Sequence, residues 1–277
     1  MLKKLFVHEW KDTWKLLTIL NVAVILLSLS GLIVFNNRNM ESVMESSNNN
    51  SVGYAMFYGS YMFIYILSLA VLTLGSMLFF YIRFYRNLYT DQGYLMHTLP
   101  VTGKDLILSK TFVAMIWRVI ATVVCTFSIL IVVWSAIAED GAEMWREMKE
   151  VFTQLKIENG TAVVAIILVI LMTIGAQLFE VFLGYLAISI GQQVSKNKVL
   201  GSIGIYIGIH VLINIVKNIG TQVFVFRIIR EEEAGMFDPS QATVILTLLI
   251  MDVLIFALCY GMYMLIHHFM KNKLNLD

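Results

Sequence analysis

The chain has 277 residues, 58% of them hydrophobic and only 14% charged, against about 45–50% and about 25% in an ordinary soluble domain. A formal net charge of +1 leaves no global attraction for nucleic acid. The two cysteines, Cys125 and Cys259, fall inside apolar runs and suggest neither a disulfide framework nor a metal site.

Several apolar runs reach the roughly 20 residues needed to cross a bilayer, so the expected class is an all-α polytopic membrane protein, a single domain over residues 1–277. Residues 2–15 come first. At 100° per residue Leu2, Leu5, Phe6, Trp10 and Leu17 share one arc, with Lys4, His8, Lys11, Asp12 and Lys15 opposite. With Trp10 and Trp14, that pattern predicts a helix lying in the membrane interface before the chain turns inward. The first apolar run is too long for a signal peptide and lacks a small-residue cleavage site.

Six spans follow, expected at about 16–35, 55–82, 111–138, 161–191, 199–216 and 242–269. The second is bracketed by aromatic clusters, Tyr54, Phe57, Tyr58 and Tyr61 at one end and Phe79, Phe80, Tyr81 and Phe84 at the other, which mark interfacial belts. A polar Asn- and Ser-rich stretch, 36–52, separates spans one and two. An acidic amphipathic segment, 139–160, and a second segment, 219–241, are expected on the far surface, and a polar turn, 192–198, joins spans four and five. The amino end, the segment 83–110, the turn 192–198 and the tail together hold twelve Lys and Arg, against seven on the opposite side. Positive charge marks the cytoplasmic face, so both termini and 83–110 are expected there.

The segment 83–110 is the longest interruption on that face. Asp91-Gln92-Gly93 breaks a helical approach, and Leu99-Pro100 ends a short apolar piece, because proline drives the preceding residue out of the α region. Thr102 is placed to cap a new helix, with Asp105 three residues on complementing its dipole. Leu106, Ile107 and Lys110 then lead into span three. A broken, partly apolar elbow of this kind is a docking surface.

Ionisable groups inside spans are costly and therefore informative. They are Arg118 in span three, Glu180 in span four, His210 in span five and Asp252 in span six. Arg118 lies about 12 Å along the helix from Lys110, close enough to snorkel to the interface or to pair with Glu180. Structural struts are the expected role of Arg118, Glu180 and Asp252, ahead of substrate contact. In span five, Gly201, Gly204 and Gly208 include a small-xxx-small pattern that permits close helix approach. No phosphate-binding loop exists: Thr98 stands where the first glycine before Gly103-Lys104 is required. His210-Val-Leu-Ile-Asn214 matches one fragment of an intramembrane protease signature, but Phe237 replaces the arginine its Glu-Glu-x-x-x-Arg partner needs. The chain is not expected to be an enzyme.

The order Asp91-Gln92-Gly93-Tyr94-Leu95, then Leu99-Pro100-Val101-Thr102, then Ser109-Lys110 resembles the cytoplasmic loop between spans two and three of ABC-2-type permeases, the membrane subunits of ATP-driven exporters. That loop opens on an acidic-x-Gly step, where Asp91 replaces the usual Glu, and ends in Gly/Ser-Lys before span three. The resemblance covers this elbow and the six-span plan. It implies that Asp91, Gly93, Tyr94, Leu95, Leu99, Pro100, Val101 and Lys104 couple the chain to a separate ATPase. It also implies that spans one and five border the subunit interface, with Gly201, Gly204 and Gly208 on it. The expected partners are ABC ATPase subunits carrying ATP and Mg, a second permease subunit (identical or not) and membrane lipid, with no cofactor in this chain. The expected function is export across the cell membrane, by alternating access, of an amphipathic or hydrophobic cargo such as a peptide (antimicrobial peptides included), a lipid or a drug. The alternative is a membrane sensor or scaffold that does not transport.

Overall fold

The structure, a computed structural model, describes residues 2–35, 51–90, 92–93, 101–136, 146, 159–194, 197–233 and 241–272. Among them there is no strand. Helix α1 spans Leu2–Phe35 and α2 spans Ser51–Ala70; a π-helical segment, Val71–Gly75, joins α2 to α3, Ser76–Tyr89. The remaining helices are α4 (Gly103–Ala136), α5 (Asn159–Gly191), α6 (Lys198–Glu233) and α7 (Gln241–Asn272). Among the described residues six stretches are long and apolar enough to cross a membrane: Leu2–Val34, Met56–Tyr89, Gly103–Trp134, Val163–Gly191, Lys198–Ile215 and Ile245–Lys271. The chain is a multi-pass membrane protein.

Burial follows from lipid as solvent. Ile19, Ile33, Phe63, Phe127 and Leu254 are exposed, while Thr13, Asn21, Ser28, Thr111 and Ser189 are buried. Lipid accepts the former, but a polar group inside needs a partner. The helix supplies it: Thr13 Oγ1 donates to the Glu9 carbonyl at 3.0 Å, Thr111 Oγ1 to that of Ile107 at 2.9 Å, and Ser189 Oγ to that of Tyr185 at 2.8 Å. Each closes a bond to the preceding turn.

One boundary differs from the sequence reading. Residues 2–15 do not form a helix separate from span one; α1 runs unbroken for 34 residues, since nothing between Leu2 and Ser30 is Gly or Pro. The fifth apolar span, Lys198–Ile215, matches the expected 199–216, and helix α6 continues beyond it to Glu233, because the polar residues after Ile215 include no helix breaker stronger than Gly220. The acidic segment 139–160 lies outside the described residues except for Arg146, which is helical, and for the first turn of α5.

Contacts divide the chain into two compact units. One comprises Leu2–Phe80 and Phe112–Lys156, the other Tyr81–Thr111 and Ile157–Asp277. In the first, α1 packs on α2 and the π segment. Val24, Leu72 and Ala121 form a buried cluster there, flanked by Leu20, Leu69, Val124 and Cys125. Tyr65 and Ser128 share a hydroxyl–hydroxyl bond of 2.8 Å, and the Tyr61 hydroxyl lies against Gly31, where a Cβ would sit 2.8 Å from it.

In the second unit α5 packs on both α6 and α7. Helices α5 and α7 run parallel, since Phe182 meets Tyr263 with ring centroids 6.1 Å apart, while seven residues earlier on each helix Gly175 meets Phe256. A Cβ on Gly175 would lie 2.9 Å from Ile255 Cγ2, and one on Gly191 would lie 2.5 Å from the Ser202 backbone nitrogen. Glycine at these positions lets helices approach through their backbones, the form of packing that works where lipid is as apolar as the side chains.

Candidate functional site

Of the predicted coupling elbow, Gly93, Val101 and Lys104 are described, whereas Asp91, Tyr94, Leu95, Leu99 and Pro100 lie outside the described residues. Gly93 is buried in the turn that follows α3, its N–H donating to the Thr90 carbonyl at 2.6 Å. A Cβ there would stand 2.5 Å from the Leu88 carbonyl oxygen, so a side chain has no room. On the other flank Thr102 caps α4. The Asp105 N–H donates to Thr102 Oγ1 at 3.2 Å, and that hydroxyl donates to Asp105 Oδ2 at 2.9 Å, a capping arrangement that satisfies an orphan donor of the first turn. Lys104 is exposed beside it, and Leu106 and Ile107 are buried one turn on.

The three glycines of α6 separate into two groups. A Cβ on Gly201 would meet Val194 Cγ2 at 2.8 Å, so this glycine is committed to the turn between α5 and α6 within the chain. Gly204 and Gly208 are exposed, and a Cβ on either would meet nothing within 4 Å. Only these two present an open small-residue face.

The intramembrane ionisable residues take three different roles. Arg118 is partly buried, and its Nη1 donates to the Thr73 carbonyl of the π segment at 3.0 Å. Asp252 is buried on α7, and neither carboxylate oxygen has a hydrogen-bond partner among the described residues. Glu180 is partly buried on α5, and its carbonyl accepts the Tyr81 hydroxyl at 2.6 Å.

Around Glu180 lies a cluster that sequence reasoning missed. The Tyr81 ring meets Tyr206 edge-on, with centroids 5.7 Å apart at 63°, and Tyr185 at 6.3 Å and 68°. Phe84 stacks on Tyr185 at 3.8 Å and 8°, and Tyr206 stacks on His210 at 5.6 Å and 21°. Tyr89 closes the end, its hydroxyl donating to Ser189 Oγ at 2.9 Å. Gly184 makes the cluster possible: a Cβ there would overlap the Tyr81 ring. Tyr81 and Phe84 are legible in the sequence as members of one aromatic cluster. The signal for the rest is helical spacing, Tyr185 with Ser189 and Tyr206 with His210, four apart on one face. The arrangement contains no nucleophile–base pair. Its chemistry is that of aromatic rings gathered beside the Glu180 turn of α5.

Comparison with protein families, with curated proteins and with solved structures returned no match.

Proposed function

We propose that this chain is the membrane subunit of an ATP-driven exporter of ABC-2 type. The observation that carries the reading is the break between the second and third spans, residues 83–110. Its two flanks are specified by individual residues, Gly93 in the turn after α3 and the Thr102 cap at the start of α4. In this reading Asp91, Gly93, Tyr94, Leu95, Leu99, Pro100, Val101 and Lys104 form a cytoplasmic coupling elbow that grips a separate ATPase, which carries ATP and Mg. In the same reading all six apolar helices cross, both ends of the chain lie on one face, and the Lys and Arg distribution supports that face being cytoplasmic. The first turns of α1, with Trp10 and Trp14, sit at the same interface of the cell membrane.

A second permease subunit, identical or related, pairs with this one through the open Gly204 and Gly208 face. The chain itself does no covalent chemistry. Closure of the ATPase pair moves the elbow, and the paired spans reorient an amphipathic or hydrophobic cargo. The test is affinity purification of the tagged chain in mild detergent, with identification of what accompanies it. An ABC ATPase in stoichiometric amount, with hydrolysis that responds to the chain, is the expected result. A monodisperse chain without an ATPase under several detergents would move the reading to a sensor or scaffold.

A further inference from the structure

We propose that the Glu180 carboxylate and the aromatic rings beside it form a binding site for a lipophilic organic cation. Glu180 is the only charged residue in α5, Asn159–Gly191, and lies in the interior of the apolar span Val163–Gly191. Its side chain is partly buried, and among the described residues no hydrogen bond or ion pair engages its carboxylate. A carboxylate at that depth without a counter-charge is expensive, and intramembrane acids are retained where a charged partner visits them. Among the described residues no cation is paired with it. His210, stacked on Tyr206, makes no ion pair with Glu180.

The surroundings select the kind of cation. Tyr81 is fixed from three sides, by its hydrogen bond to the Glu180 carbonyl, by the Gly184 backbone under its ring and by Tyr206 at 5.7 Å. Tyr206 and His210 remain partly exposed beside it. Ring faces attract weakly hydrated cations through their quadrupole and gain most when the site is desolvated. A hard inorganic cation wants six or more oxygen ligands, and among the described residues no three metal-ligating side chains gather. An alkylammonium, guanidinium or phosphonium group on an apolar body matches both the carboxylate and the rings, and it can reach them from the bilayer.

The site stands independently of export, and its test needs no ATPase. The purified chain in lipid nanodiscs is dialysed against radiolabelled tetraphenylphosphonium and, separately, against tetraphenylborate, an anion of the same shape. Saturable binding of the cation, absent for the anion, is the expected result. Glu180→Gln should weaken cation binding at least tenfold. Tyr206→Leu should do the same, while Tyr206→Phe, which keeps the ring, should change it less than threefold. Equal saturable binding of both ions would overturn the proposal using the unmodified chain alone, so it survives no failure of a variant to fold. Wild-type affinity in a folded Glu180→Gln variant would overturn it too. Loss of this site leaves the exporter reading standing, and absence of an ATPase leaves this site standing.

Discussion

The Arg118 guanidinium on α4 donates to the carbonyl oxygen of Thr73 at 3.0 Å, and Ser76 Oγ donates to the same oxygen at 3.1 Å. Thr73 lies in the π-helical segment Val71–Gly75. A π turn widens the helix and disturbs its regular hydrogen bonding, and such segments are frequent at functional sites. In lipid a backbone carbonyl must be satisfied by protein, and here an intramembrane arginine shares the Thr73 oxygen with the Ser76 hydroxyl and backbone N–H. Thr73 Oγ1 in turn donates to the Leu69 carbonyl at 2.9 Å. Arg118→Leu should therefore destabilise the chain by about 1.5–3 kcal/mol, the range for a hydrogen bond to a charged group. Arg118→Lys should recover part of that. Unfolding by graded denaturing detergent, followed by circular dichroism, measures both; an unchanged midpoint for Arg118→Leu would show that the bond contributes nothing.

Gly184 and Tyr81 should behave as one unit. Gly184→Leu places a side chain where the Tyr81 ring lies, and overpacking of this kind costs about 1–3 kcal/mol. Tyr81→Ala on the same background should restore part of the loss, giving a non-additive double-mutant cycle. Strict additivity in thermal stability would disprove the steric relationship.

The glycines of α6 give opposite expectations. Gly204→Leu with Gly208→Leu should leave the single chain folded, since both sites are open, and should reduce self-association. Disulfide cross-linking between cysteines on that face of two copies reads this directly. Gly201→Leu should instead damage the chain itself, because Val194 occupies the space. If the Gly204/Gly208 double variant unfolds while cross-links persist in the parent elsewhere on the helix, the open face is not the subunit contact.

For the elbow, Leu95→Asp and Leu99→Asp should each release the ATPase or uncouple hydrolysis from transport. An apolar interface anchor is typically worth about 2 kcal/mol or more, whereas Asp91→Asn at the rim should cost about 0–1 kcal/mol. Co-purification and substrate-stimulated hydrolysis distinguish these. Full binding and stimulation in both aspartate variants would exclude 83–110 as the coupling element.

Asp252 yields the least intuitive expectation. A buried carboxylate without hydrogen bonds opposes folding, so Asp252→Leu should raise the unfolding midpoint, by about 1–3 kcal/mol in stability. A lowered midpoint would mean that the group is matched by a partner outside the described residues.

The spans were readable from sequence because a bilayer demands roughly 20 apolar residues per crossing, and the start of α4 was readable because a cap needs a hydroxyl at Thr102 and a favourable charge at Asp105. The π segment was not. Val71-Leu72-Thr73-Leu74-Gly75 has the composition of any membrane helix, and the donor that meets its carbonyl sits 45 residues away at Arg118. Gly184 has the same opacity, since what requires a glycine there is the Tyr81 ring on another helix. Depth along span three likewise does not determine which way the Arg118 guanidinium reaches, so the Thr73 carbonyl it meets is not legible in the sequence. Gly201 shared a pattern with Gly204 and Gly208, yet Val194 separates it from them, and spacing along one helix carries no information about its neighbour.

Helix α1, 34 residues without interruption, is about 51 Å long at 1.5 Å per residue, whereas the hydrocarbon core is about 30 Å thick. It is therefore a shaft with an overhanging handle. Trp10 near one end is stacked on Trp117 at 4.9 Å, and near the other end Gly31 bears directly on the Tyr61 hydroxyl. Residues 10–30 between these two contacts include no Gly or Pro, so the helix joins them without the residues that commonly kink one.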